Sequence, residues 1–175
     1  MNPDDFPAPR EGFVLSFFLV VADQDRSRAF YQRVFNGTVL VERDPVILKV
    51  ANAWLIMNEA GGPTDDKPTV TLTTPPDPDR TSAFLNIRVA DIATAYAEWS
   101  AQGAEFLTEP KDHGREIRAY IRDPDGHLIE VGQFVGIPAE ERSPAVIGRA
   151  DSGSGGRTRT CDQAVTSLRY GRPPA

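Results

Sequence analysis

Asp123-Pro124-Asp125-Gly126-His127-Leu128-Ile129-Glu130-Val131 is the stretch on which the reading of this chain turns. Pro at its second position and Gly at its fourth suit a type I turn, and the Leu, Ile and Val that follow predict a strand. Glu130 then falls inside an otherwise apolar strand. A buried carboxylate needs a hydrogen-bonding partner, a cation or a metal. What the rest of the chain brings to Glu130 therefore decides the chemistry.

The surrounding chain repeats itself. Phe17-Phe-Leu-Val-Val-Ala-Asp23 opens one unit and Leu85-Asn-Ile-Arg-Val-Ala-Asp91 opens another, 68 residues later. Each is an extended apolar run ending in Asp, a good helix N-cap. Ser27, Phe30, Tyr31 and Val34 follow the i, i+3, i+4, i+7 pattern of a helix, as do Ile92, Ala95, Tyr96 and Trp99. Gly37 and Gly103 stand where a glycine would end each helix. Three strand-like runs follow each helix: 38–43, 45–51 and 53–58, then 105–109, 116–122 and 127–134. The order β-α-β-β-β occurs twice. The period is too long for a solenoid and marks a duplicated module.

The pair of motifs over 21–37 (VADQDRSRAFYQRVFNG) and 121–133 (IRDPDGHLIEVGQ) resembles the vicinal oxygen chelate superfamily, which holds glyoxalases, bleomycin-resistance proteins and extradiol dioxygenases. The resemblance covers roughly residues 13–136. It implies an α+β fold in which two paired βαβββ modules form a curved mixed sheet with a concave pocket. It also implies one metal ligand from each of two strands per module in the metal-dependent members, and a homodimer as a common assembly. The fold hosts many activities, so function has to be read from side chains.

Composition narrows the field. With 175 residues, 40% of them hydrophobic, the chain fits one domain with a substantial core. The expected organisation is an N-terminal extension over 1–12, modules over about 13–60 and 81–136, a linker over 61–80, and a disordered tail over 137–175. The linker run Val70-Thr-Leu-Thr-Thr74 predicts a short edge strand or a flap. No stretch reaches the ~20 apolar residues of a membrane span. A single cysteine, Cys161, excludes an internal disulfide framework and fits a cytoplasmic setting. A net charge of −6 argues against nucleic acid as a partner. The expected partners are a small-molecule ligand and a second copy of the chain.

Strand alternation sorts side chains by face. Ser16, Phe18 and Val20 are expected on the concave side, with Leu15, Phe17, Leu19 and Val21 under the helices. Phe84, Asn86 and Arg88 are likewise concave, opposite Leu85, Ile87 and Val89. Arg118, Tyr120 and Glu130 join them from the last two strands. Aligning Ala53–Met57 with Gly126–Glu130 matches Met57 to Glu130. That alignment puts Leu55 and Met57 on the pocket wall and Trp54 under a helix.

Metal-binding relatives usually carry His seven residues before each Asp cap; here those positions are Ser16 and Phe84. With Met57 in the fourth position, Glu130 alone is a potential ligand, and a lone carboxylate is a poor site for a transition metal. No metal and no cofactor are expected; were a metal bound, Glu130 would hold it. Three roles for Glu130 stay open. It is a structural carboxylate held by Arg88, Arg118, Tyr120 or Asn86, a general acid or base tuned by apolar neighbours, or a ligand contact. Arg88 and Arg118 either bind a ligand anion or neutralise Glu130 and Glu116. The function expected by resemblance is metal-free binding of a small aromatic or amphipathic molecule through Ser16, Phe18, Leu55, Met57, Phe84, Asn86, Arg88, Arg118, Tyr120 and Glu130. The alternative is a glyoxalase-like lyase or isomerase with Glu130 catalytic.

Overall fold

A computed structural model of the chain describes residues 6–136. The expected tail over 137–175, with Cys161, and the first five residues lie outside the described residues.

The first module runs β1 (Ser16–Val21), α1 (Gln24–Phe35), β2 (Thr38–Val41), β3 (Val46–Val50) and β4 (Ala53–Glu59). The second runs β5 (Leu85–Arg88), α2 (Ile92–Ala101), β6 (Glu105–Phe106), β7 (Lys111–Asp112), β8 (Glu116–Arg122) and β9 (Leu128–Phe134). Asp23 caps α1 by accepting from the backbone N–H of Asp25 at 2.9 Å and of Arg26 at 3.1 Å. Asp91 caps α2 through Ala93 and Thr94 in the same way. These bonds satisfy helix-end donors that would otherwise lack partners. The α1 terminus differs from expectation: Asn36, not Gly37, takes the left-handed conformation, with φ 53°. Gly37 is needed for space instead, because a Cβ there would lie 3.1 Å from the Tyr31 carbonyl and 3.2 Å from Leu48. Gly103 ends α2 as expected, with φ 89°.

Each module builds its own mixed sheet. The first has the order β1-β4-β3-β2; the second has β5-β9-β8-β6, with β7 also on β8. In both, the opening strand pairs parallel with the last, and the remaining pairs are antiparallel. A parallel pair needs a crossover, which α1 and α2 supply. The resemblance implied one curved sheet, but no ladder joins the two sheets among the described residues. Of the strand expected over 105–109 only β6 forms, and β7 is a separate short strand after Pro110, which lacks a donor and constrains the residue before it. The 70–74 run makes only one bridge, Leu72 to Gly61.

One continuous core lies between sheets and helices, formed by residues such as Leu19, Val21, Tyr31, Leu48, Leu55, Met57, Ile121, Ile129 and Val131. The placement of Leu55 and Met57 corrects the sequence reading. Leu55 and Met57 pair with Phe17 and Leu19, and both are buried on the helix side. Trp54 and Ile56 take the opposite face. The cause is the length of a turn. The β8–β9 hairpin crosses from Arg122 to Leu128 through five residues, whereas β3–β4 crosses from Lys49 to Trp54 through four. Alignment on the turn therefore slips the register by one, and a one-residue slip exchanges the two faces of a strand. The counterpart of Glu130 is Ile56: Glu130 pairs with Asn86 as Ile56 pairs with Phe18.

The modules meet through the turn over 123–127. Gly126 N–H bonds to the Asp123 carbonyl at 3.0 Å, closing the turn. Asp123 accepts the Tyr31 hydroxyl at 2.9 Å, and Asp125 accepts from Ser27 Oγ at 2.5 Å, Arg26 at 2.6 Å and the Ala22 N–H at 2.8 Å. His127 Nε2 lies 2.8 Å from the Val20 carbonyl. On the other side of the junction Phe35 of α1 stacks edge-on against Trp99 of α2, with ring centres 4.9 Å apart.

Candidate functional site

The concave face of the second module gathers Glu130 and its expected neighbours. Glu130 is 4% exposed. Asn86 Nδ2 donates to its Oε1 at 2.5 Å, and the Tyr120 hydroxyl donates to its Oε2 at 2.6 Å. The pairing explains the contacts: both Asn86 and Tyr120 stand directly opposite Glu130, on the strands to either side. Arg88 Nη2 adds an ion pair at 3.6 Å from Oε1. The bond to Glu130 raises the Tyr120 phenol above its usual range, with desolvation adding to it. The carboxylate is thus solvated by protein donors, which is how a buried charge is tolerated.

The arginines are engaged with acids. Arg88 Nη1 donates to Glu116 Oε2 at 2.7 Å, and this bond holds the Glu116 carboxyl below the usual range. Arg118 Nε lies 3.2 Å from Glu116 Oε1, close enough for charge attraction but off the line of a hydrogen bond. Two positive and two negative side chains thus offset one another. Of the two readings of the arginines, geometry favours neutralisation of Glu116 and Glu130. Gly132 makes this possible: a Cβ there would overlap the Arg88 guanidinium. Around this polar centre stand Phe84, 43% exposed and edge-on to Tyr120, and Phe134, 62% exposed.

The corresponding face of the first module is apolar and open. Ser16 is exposed and Phe18 is 47% exposed, with Trp54 and Ile56 opposite them on β4. Lys49 lies over the Trp54 ring at 5.9 Å. The structure therefore brings Phe84, Asn86, Arg88, Arg118, Tyr120 and Glu130 together, keeps Ser16 and Phe18 on a face of their own, and removes Leu55 and Met57 to the core. Sequence reasoning missed Phe134 and Ile56, turned Trp54 to the wrong face, and gave Gly132 no role. The parity that placed Glu130 already placed Phe134 and Gly132 beside it; the other two were lost to the slipped register.

The twofold βαβββ topology, the cap positions and a carboxylate on the last strand define a protein class. The sequence model of the "Glyoxalase/Bleomycin resistance protein/Dioxygenase superfamily" matches residues 14–131, and the chain belongs to that superfamily. Solved structures agree on the fold. TioX from Micromonospora sp. ML1 superposes with a TM-score of 0.56 at 21% identity, over 71% of this chain and 100% of that one. FosX, a fosfomycin resistance protein from Listeria monocytogenes, gives 0.53 at 20% identity, over 76% and 99%. TnmS3, an antibiotic binding protein from Streptomyces sp. CB03234, gives 0.51 at 19% identity, over 72% and 98%.

Metal-dependent members of the superfamily need a ligand set that these residues do not make. The four equivalent positions carry Ser16, Ile56, Phe84 and Glu130, and both Glu130 oxygens already accept hydrogen bonds. Among the described residues no three His, Cys, Asp or Glu side chains come together as a metal site. One carboxylate does not fit a divalent transition metal, which takes three or more protein ligands.

Proposed function

We propose that this protein binds a small aromatic or amphipathic molecule on the concave face of its second module, without a metal. The observation that carries this reading is the state of Glu130: buried, with Asn86, Tyr120 and Arg88 as partners, on a face where the exposed ring of Phe84 packs against Tyr120. A general base needs an oxygen within reach of the substrate proton. Glu130 is 4% exposed and each of its oxygens already accepts from the protein, so little of it is left within reach of a substrate, which favours binding over lyase or isomerase chemistry. The balanced charges of Arg88, Arg118, Glu116 and Glu130 favour a ligand of low net charge. Its ring would stack on Phe84, and its polar groups would meet Tyr120 and Arg88.

The antibiotic-related neighbours make aromatic antibiotics the first compounds to try. A second copy of the chain is part of the proposal. Phe13 and Leu15 are 85% and 82% exposed, apolar side chains that a partner's module would cover. Working in the cytoplasm is likewise part of it. A thermal-shift panel of aromatic antibiotics, run with and without a chelator, tests the reading. Stabilisation that survives chelation and is lost in Phe84→Ala supports it. Turnover of any bound compound that vanishes in Glu130→Gln would establish the enzyme instead.

A further inference from the structure

The internal repeat is broken at one place, and the break leaves a second cleft. The opening halves of the modules correspond at a spacing of 68, which matches Val20 to Arg88 and Tyr31 to Trp99. The hairpin tips correspond through their ladders: Arg122 and Leu128 match Lys49 and Trp54, so Asp123 matches Val50 and His127 matches Ala53. At the first junction, polar side chains of the long tip close the open edge of β1. His127 Nε2 lies 2.8 Å from the Val20 carbonyl, and because a carbonyl only accepts, Nε2 donates. Asp123 meets Tyr31 beside it.

At the second junction the tip is one residue shorter and has small apolar side chains. Val50, Ala53, Trp99 and Arg88, the counterparts of Asp123, His127, Tyr31 and Val20, all line a cleft of about 450 Å³. Phe35, Leu55 and Tyr31 also line it, with Asn52 and Asn86 as its uncharged polar side chains. β5 is the edge of its sheet, and its ladder bond from the Val89 N–H to the Gly132 carbonyl fixes which residues face β9. By alternation Arg88 turns its backbone carbonyl outward. Its guanidinium is held elsewhere by Glu116 and Glu130. The cleft therefore offers aromatic walls and an edge carbonyl, with no available charge.

We infer that this cleft is a second binding site, for a neutral, flat heteroaromatic molecule of the indole or azole class, whose ring N–H bonds the Arg88 carbonyl as His127 bonds that of Val20. The molecule itself supplies the filler: an imidazole ring on a strand-edge carbonyl already closes the matching junction. Asn86 and Arg88 border both this cleft and the concave face, while Phe35, Val50, Ala53 and Trp99 belong to the cleft alone, so the inference does not depend on what that face binds.

Indole and 1-methylindole are the probes, the second having no N–H. Titration of the full chain followed by backbone amide NMR is expected to show saturable binding of indole, with shifts at residues 35, 50–53 and 99, which line the cleft and not the concave face. Binding of 1-methylindole should be about tenfold weaker, the loss expected for one buried hydrogen bond. Ala53→Phe, at an exposed tip position, should abolish binding while the amide spectrum stays folded. If that variant does not fold, the comparison of the two probes on the wild type decides. Absence of saturable indole binding, equal affinity for 1-methylindole, or shifts centred on Phe84 and Tyr120 would each overturn the inference.

Discussion

The hydroxyl of Tyr31 donates to the Asp123 carboxylate at 2.9 Å, tying the helix of one module to the hairpin tip of the other. Both residues are buried, at 1% and 5% exposure. Tyr31→Phe removes the donor and leaves a buried acceptor one partner short. A loss of about 1–3 kcal/mol is expected, read as a lower urea midpoint with an unchanged slope.

Burial raises the Asp123 carboxyl above its usual range, outweighing the bonds that lower it. The folded chain then holds this proton at pH values where the unfolded chain has released it. The stabilisation is complete below the unfolded value of about 4 and is lost as pH rises through the folded value. Asp123→Asn cannot titrate. Its stability relative to wild type should therefore improve as pH rises from about 4, measured by denaturant midpoints across that window. A relative stability independent of pH would contradict the assignment.

Tyr120 ionises above the ordinary tyrosine range chiefly because it donates to Glu130. Glu130→Gln removes that charge, so one tyrosine should titrate closer to the usual value of about 10. Ultraviolet difference titration of wild type and variant reads the change directly.

Gly132→Ala places a methyl group where the Arg88 guanidinium lies. The guanidinium is the far end of a flexible side chain and swings away, so the melting temperature should change little. Its pairing with Glu116 and Glu130 is lost, and the Glu116 carboxyl should rise toward the ordinary range, as carboxyl carbon NMR titration would show. An unmoved Glu116 titration would mean that Arg88 holds its place.

Much of this molecule was legible from pattern alone. Asp23 and Asp91 declared the helix starts, and strand parity placed Phe84, Asn86, Arg88, Tyr120 and Glu130 on one face. Leu55 and Met57 were misplaced because apolar residues fill both faces of β4, so hydropathy could not expose a one-residue slip at the turn. The engagement of Arg88 with Glu116 was equally hidden, because it depends on the space left by Gly132 on a neighbouring strand.

In the proposed reading the concave face binds its ligand through Glu130's protein-held carboxylate and the ring of Phe84, with no metal. Metal content of the native protein, measured together with ligand affinity before and after chelation, tests this most directly. Metal far below one equivalent per chain and an affinity that chelation does not change are expected. A stoichiometric metal that disappears in Glu130→Gln, with binding lost on chelation and restored by the ion, would contradict it.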